Sequence, residues 1–68
     1  MKNFDTPLVI DCEGLSSKLI LELADELREF FDIVDVNGEE ISADALIDKS
    51  FADDAQAVIK RYGVRILS

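Results

Sequence analysis

Residues 31–46 read FDIVDVNGEEISADAL. This stretch decides the fold, because it carries two signals that cannot both be obeyed. Residues 33–36, IVDV, form a β-branched run that ends on Asn37-Gly38. Asn-Gly is a strong turn signal, and EEIS after it can return as the second strand of a hairpin. A two-residue turn at Asn37-Gly38 places Val34 opposite Ile41, which favours a hairpin. It also places Asp35 opposite Glu40, and like charges directly across a ladder repel. In the other reading Ser42 caps a helix, since Ala43 and Ile47 continue the apolar stripe of the segment that follows. The conflict between Asp35 and Glu40 tips the reading towards strand, turn and then helix, with a hairpin over 37–42 as the alternative.

Upstream, LVIDC at 8–12 is a short β-prone run after Pro7 and before Gly14, and reads as the first strand. Ser16 or Ser17 can cap the helix that follows, spanning about 17–31. Leu19, Ile20, Leu23, Leu27, Phe30 and Phe31 draw one apolar stripe at helical spacing, with Lys18, Glu22, Asp25, Glu26 and Glu29 largely opposite. Downstream, Phe51, Ala55, Val58, Ile59 and Tyr62 mark a second helix. It starts either at 43, capped by Ser42, or at 51, capped by Ser50, and it runs to 62. Gly63 suits the residue just beyond a helix end, where a left-handed conformation is needed. VRIL at 64–67 closes the chain as a further strand. The expected fold is a single α/β domain over 1–68: a small β-α-β-α-β sandwich with a three- or four-stranded sheet and two main helices. Right-handed crossovers follow if its strands are parallel.

Composition bounds the function. The chain has 68 residues, and such domains bury only about 60% of the surface they expose when unfolded. With one cysteine and no histidine, an internal disulfide is excluded and a classical zinc site has too few ligands. Cys12 reads as a small core hydrophobe. Seven basic against fifteen acidic residues leave a net charge of −8. That argues against nucleic acid and anionic membranes as partners, and favours a protein partner with a basic surface. No apolar run reaches the length of a membrane span, so a cytoplasmic location is expected. A short sheet with exposed edges also offers a route to a homodimer.

Little catalytic chemistry is legible. No histidine accompanies a nucleophile, and the carboxylates are scattered. IVDVNGEEISAD is the one stretch comparable to a calcium loop, and Ile33 stands at its first ligand position. No glycine-rich phosphate loop is present, so no cofactor and no enzymatic activity are expected. The heptad DKSFADD at 48–54 holds the candidate regulatory residues Asp48, Lys49, Ser50 and Asp53. Ser50 with Asp53 has capping-box spacing, a cap contributing about 1 kcal/mol. A helix N-terminus is also a favourable place for a phosphate, although Asp48, Asp53 and Asp54 would oppose one.

ELADELREFF at 22–31, IVDVNG at 33–38 and DKSFADDAQAVIKRYGVRIL at 48–67 together resemble a trimmed STAS domain, the fold of bacterial anti-sigma-factor antagonists. In that family an Asp-Ser-Ser-Gly type loop precedes a helix and a Gly-Val-x-hydrophobic strand. Asp48-Lys49-Ser50-Phe51 stands at that loop, which puts the family's phospho-acceptor serine on Ser50. Lys49 replaces its first serine, Phe51 replaces its glycine, and the family's final helix is missing. The resemblance implies a non-enzymatic regulatory module that docks a protein through the start of the second helix, switched at Ser50. Gly14-Leu15 and DIVDVNGEEIS are also similar to the phosphocarrier family of the sugar phosphotransferase system, but that activity needs a histidine that this chain lacks. The charge balance supports a second functional class: a small acidic inhibitor, phage-encoded for example, that mimics nucleic acid or covers a basic protein surface.

Overall fold

The computed structural model describes residues 7–67. The elements run β1 (Leu8–Asp11), α1 (Ser17–Leu27), β2 (Phe31–Asn37), β3 (Glu40–Leu46), α2 (Phe51–Arg61) and β4 (Arg65–Ile66). The strands form one sheet in the order β2-β3-β1-β4, and every neighbouring pair is antiparallel. Each helix therefore links two strands separated by a third, the interleaved split β-α-β connectivity. The expected α/β class holds, with four strands.

The deciding stretch is a hairpin, and the helix expected to begin at 43 is corrected to a strand over Glu40–Leu46. The turn is displaced by one residue from Asn37-Gly38. Asn37 pairs with Glu40, leaving Gly38 and Glu39 as the turn, with Gly38 at φ +64°. Glycine with positive φ at the first of two central positions is the signature of a turn whose twist matches the strands it joins. The pairing now sets Val36 against Ile41, Val34 against Ala43 and Asp35 against Ser42. The repulsion between Asp35 and Glu40, the only objection to a hairpin, is thereby removed. Because the pairing moves by two residues, every side chain keeps its face.

Alternation then builds the core. In β1, Leu8 and Ile10 are buried between less buried Val9 and Asp11; in β3, Ile41 and Ala43 are buried between Glu40, Ser42 and Asp44. Val34 from β2 joins them, and both helices pack on this face through Ile20, Leu23, Ala24 and Leu27 of α1 and Ala55 and Ile59 of α2. Cys12 is fully buried among them, and burial pushes its thiol pKa up, with the Asp11 carboxylate adding to the effect. A buried, protonated thiol is a packing group.

Helix α1 is shorter than its apolar stripe. Ser16 caps it, its Oγ accepting from the Leu19 amide at 3.2 Å. It ends at Leu27, where Glu29 and Phe30 turn back to Glu26 and Leu27 with three-residue spacing. The Phe30 carbonyl accepts from the Ile47 amide at 2.8 Å, and Phe31 pairs with Leu46. Strand pairing thus claims the two phenylalanines that periodicity assigned to the helix. The Phe30 ring instead meets Phe51 of α2, centroids 5.4 Å apart. Helix α2 begins at Phe51, not 43, and Gly63 follows it at φ +70°.

One residue stands in a costly conformation. Ala45 has φ +61°, and the Asp32–Ala45 step is missing from the ladder between β2 and β3. The Asp44 carboxylate accepts the Ala45 amide at 2.8 Å and holds the kink. The left-handed region costs a residue with a Cβ roughly 1–2 kcal/mol, and glycine's extra unfolded freedom offsets part of any relief. Ala45→Gly is therefore expected to stabilise the domain by up to about 1 kcal/mol, worth roughly 4–8 °C in a domain of this size. A lower melting temperature in this variant would show that the kink is not built this way.

Candidate functional site

Three surfaces carry polar groups in defined places. The first is the heptad singled out in the sequence. Ser50 is the N-cap of α2, but its side chain makes no capping hydrogen bond. The expected reciprocal box with Asp53 is corrected: the Ser50 hydroxyl donates to Asp48 Oδ1 at 3.1 Å, and the Ser50 amide donates to the same oxygen at 3.0 Å. Backbone geometry explains this, because Ser50 is helical at φ −66°, ψ −15°, whereas a side-chain cap needs an extended residue. Asp48 is thus the capping group of a small turn, which holds its carboxyl below the usual aspartate range. A depressed folded-state pKa adds stability that is present above the unfolded value and lost as pH falls through the folded one. Asp48, Lys49, Ser50 and Asp53 are all exposed, and hydrogen bonds join Asp48 to Ser50 but not to Asp53.

The second surface was not legible in the sequence. Arg61 Nη2 donates to Glu26 Oε1 at 3.0 Å, and the Tyr62 hydroxyl donates to Glu26 Oε2 at 2.6 Å. One carboxylate of α1 therefore latches the C-terminal end of α2. Spacing offered no signal, because the partners lie 35 and 36 positions from Glu26. The phenol is pushed up to about 12, first by the hydrogen bond to Glu26 and then by partial burial. Beside it lies a shallow groove of about 450 Å³ lined by Leu15, Leu19, Glu22, Arg61 and Tyr62.

The third surface is the sheet face opposite the helices. Register fixes its rows. Asn37, Glu40, Asp11 and Arg65 lie side by side across the four strands. Asp35, Ser42 and Val9 form the next row, and Ile33 with Asp44 the one after. Four carboxylates, Asp11, Asp35, Glu40 and Asp44, thus surround Ser42 and Val9. Arg65 is the only cation in the described strands, and its guanidinium lies 4.0 Å from Asp11. Glu40 directly opposes Asp11, so the like-charge cost avoided at Asp35 is accepted here. These carboxylates do not converge: among the described residues no cluster of acidic or thiol groups is arranged to hold a metal ion. No described helix is long and apolar enough to cross a membrane.

No family model, curated protein or solved structure matches the chain.

The latch can be read directly, because Tyr62 is the only tyrosine and the chain has no tryptophan. Ultraviolet titration should show one phenol ionising near 12, and Glu26→Gln should return it towards the ordinary value of 10.0. A raised phenol pKa contributes stability below 10.0 that is lost as pH rises towards 12. Tyr62→Phe should accordingly cost about 1 kcal/mol at neutral pH and flatten the alkaline fall in stability. An ordinary titration in the native chain would remove the latch.

Proposed function

We propose that this chain is a non-enzymatic protein-binding module whose open sheet face docks a basic surface of a partner protein. The observation that carries the reading is the row in which Asp11 and Glu40 face each other across adjacent strands. A repulsive cross-strand pair costs roughly 0.2–1 kcal/mol, and local rules are broken most often where function needs the break. Asp11 already accepts from the Glu13 amide at 3.0 Å and lies 4.0 Å from Arg65, so among the described residues Glu40 beside it and Asp35 in the next row are the open acceptors for lysine and arginine side chains. The net charge of −8 extends the attraction beyond contact and steers association. The small acidic inhibitor suggested by the charge balance uses this docking step, whereas the regulator that the STAS resemblance implies would dock through the start of α2; cytoplasmic action fits both.

The Ser50 switch has less support. The Ser50 hydroxyl already donates to Asp48, so a phosphate there would break that bond and set a dianion among Asp48, Asp53 and Asp54. Asp48 and Ser50 serve the local turn first.

The test separates this face from bulk charge. A fluorescent lysine- and arginine-rich peptide is titrated by anisotropy against the native chain, against Asp35→Asn/Glu40→Gln, and against Asp53→Asn/Asp54→Asn. Both double variants lose the same charge, but only the first alters the sheet. The face variant should bind roughly tenfold more weakly, and raising salt from low to physiological levels should weaken native binding by a comparable factor. Glu40→Gln alone should also raise the melting temperature by relieving the pair with Asp11. Equal losses in both double variants would refute a dedicated face.

A further inference from the structure

The two edges of the sheet are not treated alike. On β2, the outward Val34 carbonyl accepts from Arg28 Nη2 at 3.5 Å, and Arg28 is itself held by Asp25 at 2.8 Å. Asp32 and Asp35 add charge to that edge, the usual protection against an incoming strand. On β4 no such cover is present among the described residues. The Leu67 amide donates to the Val9 carbonyl at 2.7 Å, in register with Ile10–Ile66 and Asp11–Arg65. Antiparallel pairing alternates, so the N–H and C=O of Ile66 point away from β1 to the open side.

The core also stops short there. Ile66 lies opposite Ile10 on the helix-covered face; Ile10 is fully buried, while Ile66 remains 43% exposed. Between β4 and α2 runs a groove of about 290 Å³ lined by Gln56, Ile59, Lys60, Val64 and Ile66. Lys60 has no ion-pair partner among the described residues, whereas Arg28 and Arg61 are both committed to carboxylates. Among the described residues, a backbone edge without a strand partner, an incompletely covered aliphatic floor and an ammonium without an ion pair thus meet on a chain of net charge −8.

We propose that β4 and this groove receive an extended peptide segment of a partner by strand addition. The segment exchanges two main-chain hydrogen bonds with Ile66, lays an aliphatic side chain over Ile59 and Ile66, and brings a carboxylate to Lys60. Alternation in a strand puts those two side chains two residues apart on one face. The ligand is an acidic, aliphatic β-strand, opposite in charge to the surface that suits the open face, so this inference stands independently of the proposed function. A second copy fits less well. Its β2 edge carries the Arg28 cover, and its β4 edge would set like cations together.

The test is an amide-resolved NMR titration with the blocked hexapeptide TVTETT, whose Val and Glu share one strand face, and with TVTKTT as its charge-reversed control. TVTETT should shift the amides of Val64–Leu67 and slow exchange of the Ile66 amide. Lys60→Glu, folded as judged by unchanged signals elsewhere, should weaken it about threefold to fivefold, the worth of a part-exposed ion pair. Bulk attraction to an acidic chain would favour TVTKTT, so preference for TVTETT at this edge is a stringent result. Shifts confined to the open face, no shifts at millimolar peptide, or equal binding of both peptides would each overturn the proposal. Ile66 shifts that depend on protein concentration without peptide would assign the edge to a second copy instead.

Discussion

The turn at Gly38-Glu39 is the constraint on which the rest of the structure depends. Gly38 supplies a positive φ that a residue with a Cβ adopts only at a cost, and this closes the hairpin with Asn37 against Glu40. From that one register follow the pairing of Val36 with Ile41 and of Val34 with Ala43, and so the apolar floor on which α1 and α2 rest. The other face follows equally. The alternation that buries Ile41 and Ala43 turns Glu40, Ser42 and Asp44 outward, and pairing of β3 with β1 sets Glu40 against Asp11. Core and acidic face are two consequences of a single turn.

Around this hairpin the stabilising polar contacts are few and peripheral. Among the described residues no polar or charged side chain is buried, and the core is wholly apolar. The ion pairs lie at the surface, where each contributes little alone. Glu26 differs in gathering two donors, Arg61 at the end of α2 and Tyr62 just beyond it, which couples α1 to that end. Charge in this molecule therefore acts mainly on what approaches it. In the proposed readings the open face attracts cations and the β4 edge beside Lys60 receives a strand, while Arg28 covers the β2 edge.

Local signals read true wherever local physics decides. A serine cap at 16 or 17, which the structure places at Ser16, Gly63 as the residue after a helix, and the Phe51-Ala55-Val58-Ile59-Tyr62 stripe were all legible, because each depends on neighbours within a turn or two. Errors arose where distant pairing overrides periodicity. Phe30 and Phe31 fit the helical stripe, yet Phe31 pairs with Leu46 in β3 and the turn residue Phe30 just before it accepts from the Ile47 amide. Ala43 and Ile47 fit a helical stripe as well, and only the shift of the turn by one residue shows why they belong to a strand and its exit. Of the candidate residues, Asp48 and Ser50 do interact, but as a turn and its acceptor, while Asp53 stands apart. The carboxylate rows of the open face were invisible beforehand, since Asp11 and Glu40 become neighbours only through the register.

That register is open to one direct measurement. Opposed residues that do not exchange main-chain hydrogen bonds bring their Hα atoms close in an antiparallel ladder. Nuclear Overhauser spectra of the native chain should show Hα–Hα cross-peaks between Val36 and Ile41 and between Val34 and Ala43. An Hα–Hα cross-peak between Asp35 and Glu40 instead, with Asn37 and Gly38 forming the turn, would return those like charges to opposite positions. It would contradict the account of both the core and the acidic face.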